Sequence, residues 1–330
     1  MSFADLPKVE LHLHLEGAAP PAFIRQLAGE KGLDISHIFT ASGGYEYRDF
    51  VHFLDIYEAA TSVLQGPEDF ARLVGAVLEE SAAHGVVYSE AFLSPDFCGG
   101  RDVVAWLEYV AAMREAAQAA EARHGIILRG VVTPIRHFGA QKARETALCA
   151  QESAGDFITG FGIGGDENAG ELADFAYAFD MAREAGLGLT AHAGEWKGPE
   201  EVAAALDHLR VARIGHGVRA SEDAALVERL ACEGVVLEVC PGSNVTLGVY
   251  ESLADHPIRA LREAGVKVTI STDDPPFFLT EMSKEYDDLA ATFDWGAEDF
   301  AALNRVAAQA AFCDETTRAR VMTKLENSHV

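Results

Sequence analysis

His12 and His14 are the pair of residues in this sequence with the clearest chemical potential. They lie at the end of a short apolar run, and residues i and i+2 of an extended strand point to the same side. Two imidazoles on one side of a strand end can form half of a metal site. A chance pair on a buried strand is the alternative, and the pair alone does not separate the two.

Histidine or carboxylate groups also stand at the ends of three further apolar runs. They are His192 and Glu195 in AHAGE, His216 in IGHG, and Asp273 with Asp274 in STDDP. Each case alone has an ordinary explanation, since Asp-Asp-Pro can be a turn and a histidine before glycine can be a loop residue. Four such strand ends together indicate one shared catalytic metal site.

A catalytic zinc ion takes three or four protein ligands and keeps one position for water. His12, His14 and His192 would supply neutral nitrogens, and one aspartate would supply an anionic oxygen. The metal would bring the pKa of its water toward neutrality. Glu195, His216 and the other aspartate are then left for proton transfer and for orienting water or substrate. The combination predicts a hydrolase that adds water to an electrophilic carbon.

The elements that would position these groups alternate between strand and helix. Helical periodicity fills most of the gaps between the predicted strands, and glycine closes several of the helices. Eight alternations predict a parallel sheet closed into a (β/α)8 barrel of the TIM type, whose C-terminal strand ends form one rim. An open doubly wound sheet is the alternative. The predicted strands are Val9–Leu15, Val86–Leu93, Ile126–Pro134, Phe157–Ile163, Gly188–His192, Arg213–His216, Val235–Val239 and Lys267–Ser271.

Two regions depart from the simple alternation, and both read as helical. A long segment between the first two strands would lie over the catalytic face as a lid. Its predicted helices are Pro20–Lys31, Phe50–Leu64 and Pro67–His84. The C-terminal helices are Thr280–Phe293, Glu298–Phe312 and Glu315–Leu325. Without a linker or an internal repeat, we expect one domain over residues 1–330.

Composition excludes several classes of function. The chain has 52 acidic and 26 basic residues and a net charge of −26, so phosphate backbones and anionic lipid surfaces should repel it. Five cysteines without C-x-x-C spacing indicate reduced thiols rather than disulfides. With no signal-peptide pattern and no transmembrane run, we expect a cytoplasmic protein without nucleic-acid or membrane partners. The sequence leaves open whether the protein forms a homo-oligomer.

Several motifs, in this order, resemble the adenosine deaminase family of the amidohydrolase superfamily. They are LPKVELHLHLEGA, GDE, HAGE, RIGHGVRASED and STDDP, with weaker matches at DFVHFLDIY, VVYSEAFLSP and CPGSN. The resemblance runs from Leu6 to about Phe312. It implies a (β/α)8 barrel with one zinc ion, held by His12, His14, His192 and Asp273.

The resemblance also implies roles for single residues. Glu195 would donate a proton to ring N1 as hydroxide adds to C6 of the purine. His216 would orient or deprotonate the water, and Asp274 would hydrogen-bond to the hydroxide and to N7. The backbone N–H of Gly165 would meet N3, since a glycine lets a flat base approach the main chain closely. Phe50 would be an apolar gate over the pocket.

Substrate identity depends on few positions. We predict that His14 and Glu16 also belong to the substrate-binding residues. The resemblance favours adenosine and 2′-deoxyadenosine, deaminated to inosine and 2′-deoxyinosine in purine salvage. Many adenosine deaminases carry Asp in place of Glu16, to contact the ribose, and relatives that deaminate adenine also read LHLHLEG. The segments Gly165–Glu167 and Ile214–His216 look more like the nucleoside enzymes. Adenine, or another 6-aminopurine derivative such as aminodeoxyfutalosine, is the alternative.

Other functions fit the sequence less well. A metal-dependent phosphoesterase can also begin with H-x-H, but it would need more metal ligands and more basic residues than this chain offers. A non-catalytic barrel would have lost one of the proton-transfer groups. The run Gly160–Gly165 matches G-x-G-x-x-G, but the acids that follow would repel phosphate. The remaining histidines are interpreted as structural or exposed: His37, His52, His84, His124, His137, His208, His256 and His329.

Overall fold

Eight short parallel strands form one sheet in the order in which they occur in the chain. The computed structural model describes residues 3–327, so His329 lies outside the described residues. The last strand bonds back to the first, because the His14 N–H donates to the Asp273 carbonyl (3.0 Å) and the Asp273 N–H donates to the His12 carbonyl (3.1 Å). This closure confirms the predicted (β/α)8 barrel over the open sheet. The strands are β1 Lys8–His14, β2 Val86–Leu93, β3 Ile127–Val132, β4 Ile158–Phe161, β5 Gly188–Ala193, β6 Arg213–His216, β7 Val236–Val239 and β8 Lys267–Ile270.

Helices pack around the outside of the barrel, as parallel strands require. The predicted insertion after β1 forms α1 Pro21–Lys31, α2 Phe50–Thr61 and α3 Pro67–Ala83. The other helices are α4 Val103–His124, α5 Ala140–Ser153, α6 Ala176–Glu184, α7 Pro199–Ala204, α8 Ala224–Glu233, α9 Pro241–Thr246, α10 Ile258–Glu263, α11 Pro275–Phe278, α12 Met282–Phe293, α13 Ala297–Ala310 and α14 Glu315–Glu326. No helix within residues 3–327 is long and apolar enough to cross a membrane.

Sequence periodicity missed two short helices that directly follow strands. These are α9 after β7 and α11 after β8, and each begins with proline in its first turn. They are too short for a 3.6-residue pattern to emerge, and proline at a helix start requires no N–H acceptor. Each lies past the C-terminal end of its strand, so the polar residues in and beside it stand at the rim.

The interior of the barrel contains a buried group of charged side chains. Arg213 is 1% exposed, and its Nε and Nη2 lie 2.6 Å from carboxylate oxygens of Glu238 and Glu90. The Tyr88 hydroxyl donates to Glu90 at 2.7 Å. The Phe312 ring lies over the guanidinium, 3.5 Å from centroid to carbon. One buried cation is thus shared between two carboxylates that strands β2 and β7 carry.

We predict that Arg213→Met will destabilise the fold strongly, since it leaves Glu90 and Glu238 buried without a cation. Breaking a buried pair from one side costs about 3–5 kcal/mol. The control is Arg229→Met on α8, which removes partly exposed pairs with Glu233 and Asp207 and should cost less than about 1 kcal/mol. Urea unfolding followed by circular dichroism measures both, and equal midpoints would contradict the prediction.

Candidate functional site

The four residues predicted as metal ligands converge at the C-terminal rim of the barrel. Nε2 of His14 lies 3.2 Å from Nε2 of His192. Asp273 places Oδ1 3.3 Å from Nε2 of His14 and 3.5 Å from Nε2 of His12. The ligand atoms of all four residues lie within 4.8 Å of one another. Strands β1, β5 and β8 thus deliver these groups to one point, as the strand-end argument predicts.

Hydrogen bonds on the far side of two rings leave their other nitrogens able to bind a metal. Nδ1 of His192 lies 2.8 Å from the Ile163 carbonyl, which can only accept, so Nδ1 carries the proton. Nδ1 of His12 lies 3.0 Å from Oε2 of Glu238, which accepts in the same way. Nε2 of His12 is buried and has no hydrogen-bond partner. Such outer partners are typical of metal-bound histidines. Three nitrogens and one carboxylate therefore fit a metal such as zinc.

The predicted proton-transfer residues surround this cluster. Nδ1 of His216 lies 3.7 Å from Oε1 of Glu195, and Nε2 lies 3.8 Å from Oδ2 of Asp273. Burial, and then the charge of Asp273, raise the pKa of Glu195 well above its ordinary value, so this carboxyl can hold a proton. Burial lowers the pKa of His216 to about 3, so its ring is neutral. Asp274 is buried, and its Oδ1 has no hydrogen-bond partner.

A cavity of about 80 Å³ lies directly against these groups. The barrel contributes predicted residues to its wall, including His14, Gly165 and Asp274. Helix α2 covers it with aromatic side chains, among them Phe50, whose ring centroid lies 5.0 Å from that of Trp196. The predicted insertion therefore lies over the site. This volume is well below the roughly 300–1,000 Å³ of sites for drug-sized ligands.

Glu16 does not belong to the described residues that line the cavity. It is 4% exposed, and Oε2 lies 3.5 Å from the hydroxyl of Tyr57, whose ring does line the cavity. Burial raises the pKa of Glu16 to about 7. The neighbouring Gly17 is confined by Asp274, because a Cβ at Gly17 would lie 1.5 Å from Oδ1 of that aspartate. The turn after β1, which carries Glu16 and Gly17, therefore packs directly against Asp274 at the rim.

Sequence reasoning missed three residues that contact the predicted ones. Ser243 donates to Oδ2 of Asp273 at 2.7 Å, and Asn244 donates to Oε1 of Glu195 at 3.3 Å. Both lie in the CPGSN segment just after β7. Because the C-terminal ends of all strands share one rim, this position could have identified them as site residues. Glu238 accepts a hydrogen bond from His12. The sequence feature that could have identified it is a single charged residue inside an apolar strand.

Comparison with known proteins gives a consistent result along the whole chain. A family model described as Adenosine deaminase matches residues 7–328. A curated relative named Adenine deaminase from Agrobacterium fabrum is 46% identical over 322 residues, which are 98% of this chain and 98% of the relative. Another of that name, from Rhizobium etli, is 48% identical over 322 residues, or 98% of this chain and 99% of the relative.

Solved structures agree in fold over nearly their full length. The adenine deaminase from Arthrobacter aurescens is 31% identical, with a TM-score of 0.87 over 97% of this chain and 98% of that chain. An amidohydrolase from Burkholderia ambifaria, with bound Zn, is 26% identical, with a TM-score of 0.87 over 99% of this chain and 92% of that chain. The barrel and its insertion are therefore shared with these proteins.

We predict that Gly17→Ala will displace Asp274 and lower kcat about 10²-fold, since a misplacement of about 1 Å can cost that much. The assay uses adenine, the substrate in the names of the relatives. Gly29→Ala on α1 is the matched control, because nothing lies within 4 Å of a Cβ there. Two variants with equal kcat would show that the contact between Gly17 and Asp274 is not required.

Proposed function

The chain belongs to the adenosine deaminase family and hydrolytically deaminates a 6-aminopurine, and on that premise we propose that its substrate is free adenine. The products would be hypoxanthine and ammonia. The comparisons favour this alternative over the adenosine and 2′-deoxyadenosine that the sequence motifs favoured, since relatives at 46–48% identity are named adenine deaminases.

The observation that carries the proposal is the name shared by relatives at 46–48% identity over 98% of this chain. The aromatic wall of the cavity under α2 supports it. Phe50, Phe53 and Tyr57 of α2 all lie along its wall, and Phe278 of α11 adds a further ring. The burial of Glu16 behind Tyr57 also keeps that carboxylate from lining the cavity.

We propose that one zinc ion is held by His12, His14, His192 and Asp273. The donor set, the free Nε2 of buried His12 and the outer hydrogen bonds support this assignment. The Burkholderia ambifaria structure with bound Zn is a further support. Bound there, the ion would supply Lewis-acid chemistry that lowers the pKa of a water molecule.

The residues around the cluster would divide the proton chemistry among them. Glu195 holds a proton because burial raises its pKa, and it would donate this proton to N1 of adenine. His216 would orient the water that adds to C6 or accept its proton, and the free Oδ1 of Asp274 would accept a hydrogen bond from that water. The amino group would then take the proton held by His216 and leave C6 as ammonia, while the C6 hydroxyl returns a proton to Glu195 as the carbonyl of hypoxanthine forms. Gly165, at φ 99°, would bring its backbone N–H to N3 of the flat base.

A steady-state screen of substrates tests the proposal. Ammonia release is followed with adenine, adenosine, 2′-deoxyadenosine, AMP and N6-methyladenosine side by side. We expect kcat/KM for adenine in the range of about 10⁴–10⁸ M⁻¹s⁻¹, and a value for adenosine lower by more than about 10²-fold. A faster reaction with adenosine would overturn the assignment of adenine and leave the family chemistry intact.

The acid role of Glu195 is tested by Glu195→Gln. The variant cannot donate a carboxyl proton, and general acid catalysis contributes about 10²–10⁴-fold, so we expect kcat to fall by that factor. Metal content and affinity for hypoxanthine should stay the same. Glu233→Gln, an exposed carboxylate on α8, is the control. Turnover at the original rate would remove Glu195 from the mechanism.

A further inference from the structure

Glu167 is a buried carboxylate whose hydrogen bonds surround the proposed acid on both sides. It lies on the loop after β4 and is 2% exposed. Oε1 accepts the backbone N–H of Gly194 at 2.5 Å. Oε2 accepts those of Trp196 at 2.6 Å and Lys197 at 2.9 Å. Gly194 and Trp196 are the immediate neighbours of Glu195 along the chain and Lys197 follows Trp196, so one side chain fixes the whole turn.

The turn after β5 needs such an acceptor. It joins Ala193 at the end of β5 to Pro199 at the start of α7, and buried N–H groups outside regular structure must find partners. Gly194 is at φ 73°, a left-handed conformation that glycine adopts without steric cost, and its N–H donates to Glu167. A carboxylate with two oxygens can take several of these donors at once. Without Glu167, the turn would lose the bonds that hold Glu195 toward the cavity.

The loop that carries Glu167 is itself held by a buried arginine. Arg136, 2% exposed, donates from Nε to the Ala169 carbonyl at 2.8 Å and from Nη2 to the Gly170 carbonyl at 2.9 Å. Its Nη2 also lies 2.6 Å from Oε1 of Glu201 on α7. Since α7 directly follows the turn, the arginine joins the two segments that Glu167 links. The arginine therefore fixes the loop that carries Glu167 relative to helix α7, which follows the turn that Glu167 holds.

The same turn also meets the cover of the cavity. Trp196 gives its backbone N–H to Glu167 and places its ring against Phe50 of α2. A shift of the turn would therefore move the acid and loosen the aromatic contact together. No residue of the turn other than Glu195 lines the cavity in the described part of the chain, so Glu167 acts on the site through its neighbours.

We propose that Glu167 is a positioning residue that holds the Glu195 carboxyl for proton transfer to the purine. The inference rests on the proposed role of Glu195. An interaction realised only in the transition state lowers kcat and kcat/KM together when it is lost. Glu167→Gln leaves one oxygen and sets an NH2 group against backbone donors. We therefore expect kcat for adenine to fall about 10²-fold, with KM within about threefold.

A double-mutant cycle separates positioning from general stabilisation. Glu167→Gln, Glu195→Gln and the double variant are assayed for ammonia release in long incubations, with the metal content of each measured. If Glu167 acts through Glu195, its substitution should change the residual kcat less than about twofold in the Glu195→Gln background. An equal loss in both backgrounds would overturn the inference.

The remaining outcomes are equally distinct. Normal turnover by Glu167→Gln, beside an inactive Glu195→Gln, would overturn the inference alone. Normal turnover by Glu195→Gln would overturn the proposed acid role itself. Asp69→Asn is the matched control, since Asp69 is a buried carboxylate that accepts a backbone N–H from Gln65 (2.8 Å) away from the site, and its kcat should be unchanged. If Glu167→Gln does not fold, Glu167→Asp keeps the charge on a shorter side chain and should lower kcat about 10-fold.

Discussion

The hydrogen bond between Glu238 and His12 joins the charged interior of the barrel to its catalytic rim. It fixes the proton on Nδ1 and leaves Nε2 free only while the carboxylate is ionised. Burial alone would raise the pKa of Glu238, but the charge of Arg213 and the bond to His12 hold it below its ordinary value. The ion pairs that stabilise the fold therefore also determine which ring nitrogen faces the cluster. A second carboxylate, Glu90, balances the arginine from another strand.

Two residues of the rim have a strained backbone conformation, because their side chains must be held at fixed positions in the site. His216 and Asp273 have φ values of 58° and 68°, a left-handed conformation that residues other than glycine rarely adopt. Each stands where a strand stops and the chain must turn at once toward a helix. Such residues cost about 1–3 kcal/mol each and persist where the surrounding structure fixes them. At Asp273 the two backbone hydrogen bonds with β1 and the hydrogen bond from Ser243 do so.

Much of this arrangement could be predicted from the sequence, because strand ends of a parallel barrel share one rim. His192 was assigned as a ligand on that rule, whereas the choice of Asp273 over Asp274 came from the family resemblance. Glu238 was not assigned, since a single charge inside an apolar run does not change the strand pattern. Asn244 was not, since its contact with Glu195 depends on the short helix α9, which is too short for periodicity. The choice of adenosine over adenine came from motifs such as Gly165–Glu167 that surround the shared chemistry and carry little information about a sugar.

Chemistry and substrate choice therefore lie on different parts of the fold. The barrel rim holds the groups that we propose act on C6 and N1, which every 6-aminopurine presents. The insertion between β1 and β2 supplies the cover, and its helix α2 determines how much room remains beyond the base. The two parts meet where Phe50 packs on Trp196, in the turn that also carries Glu195. A change in α2 that admits a larger substrate would thus also disturb the proposed acid, unless Glu167 keeps that turn in place.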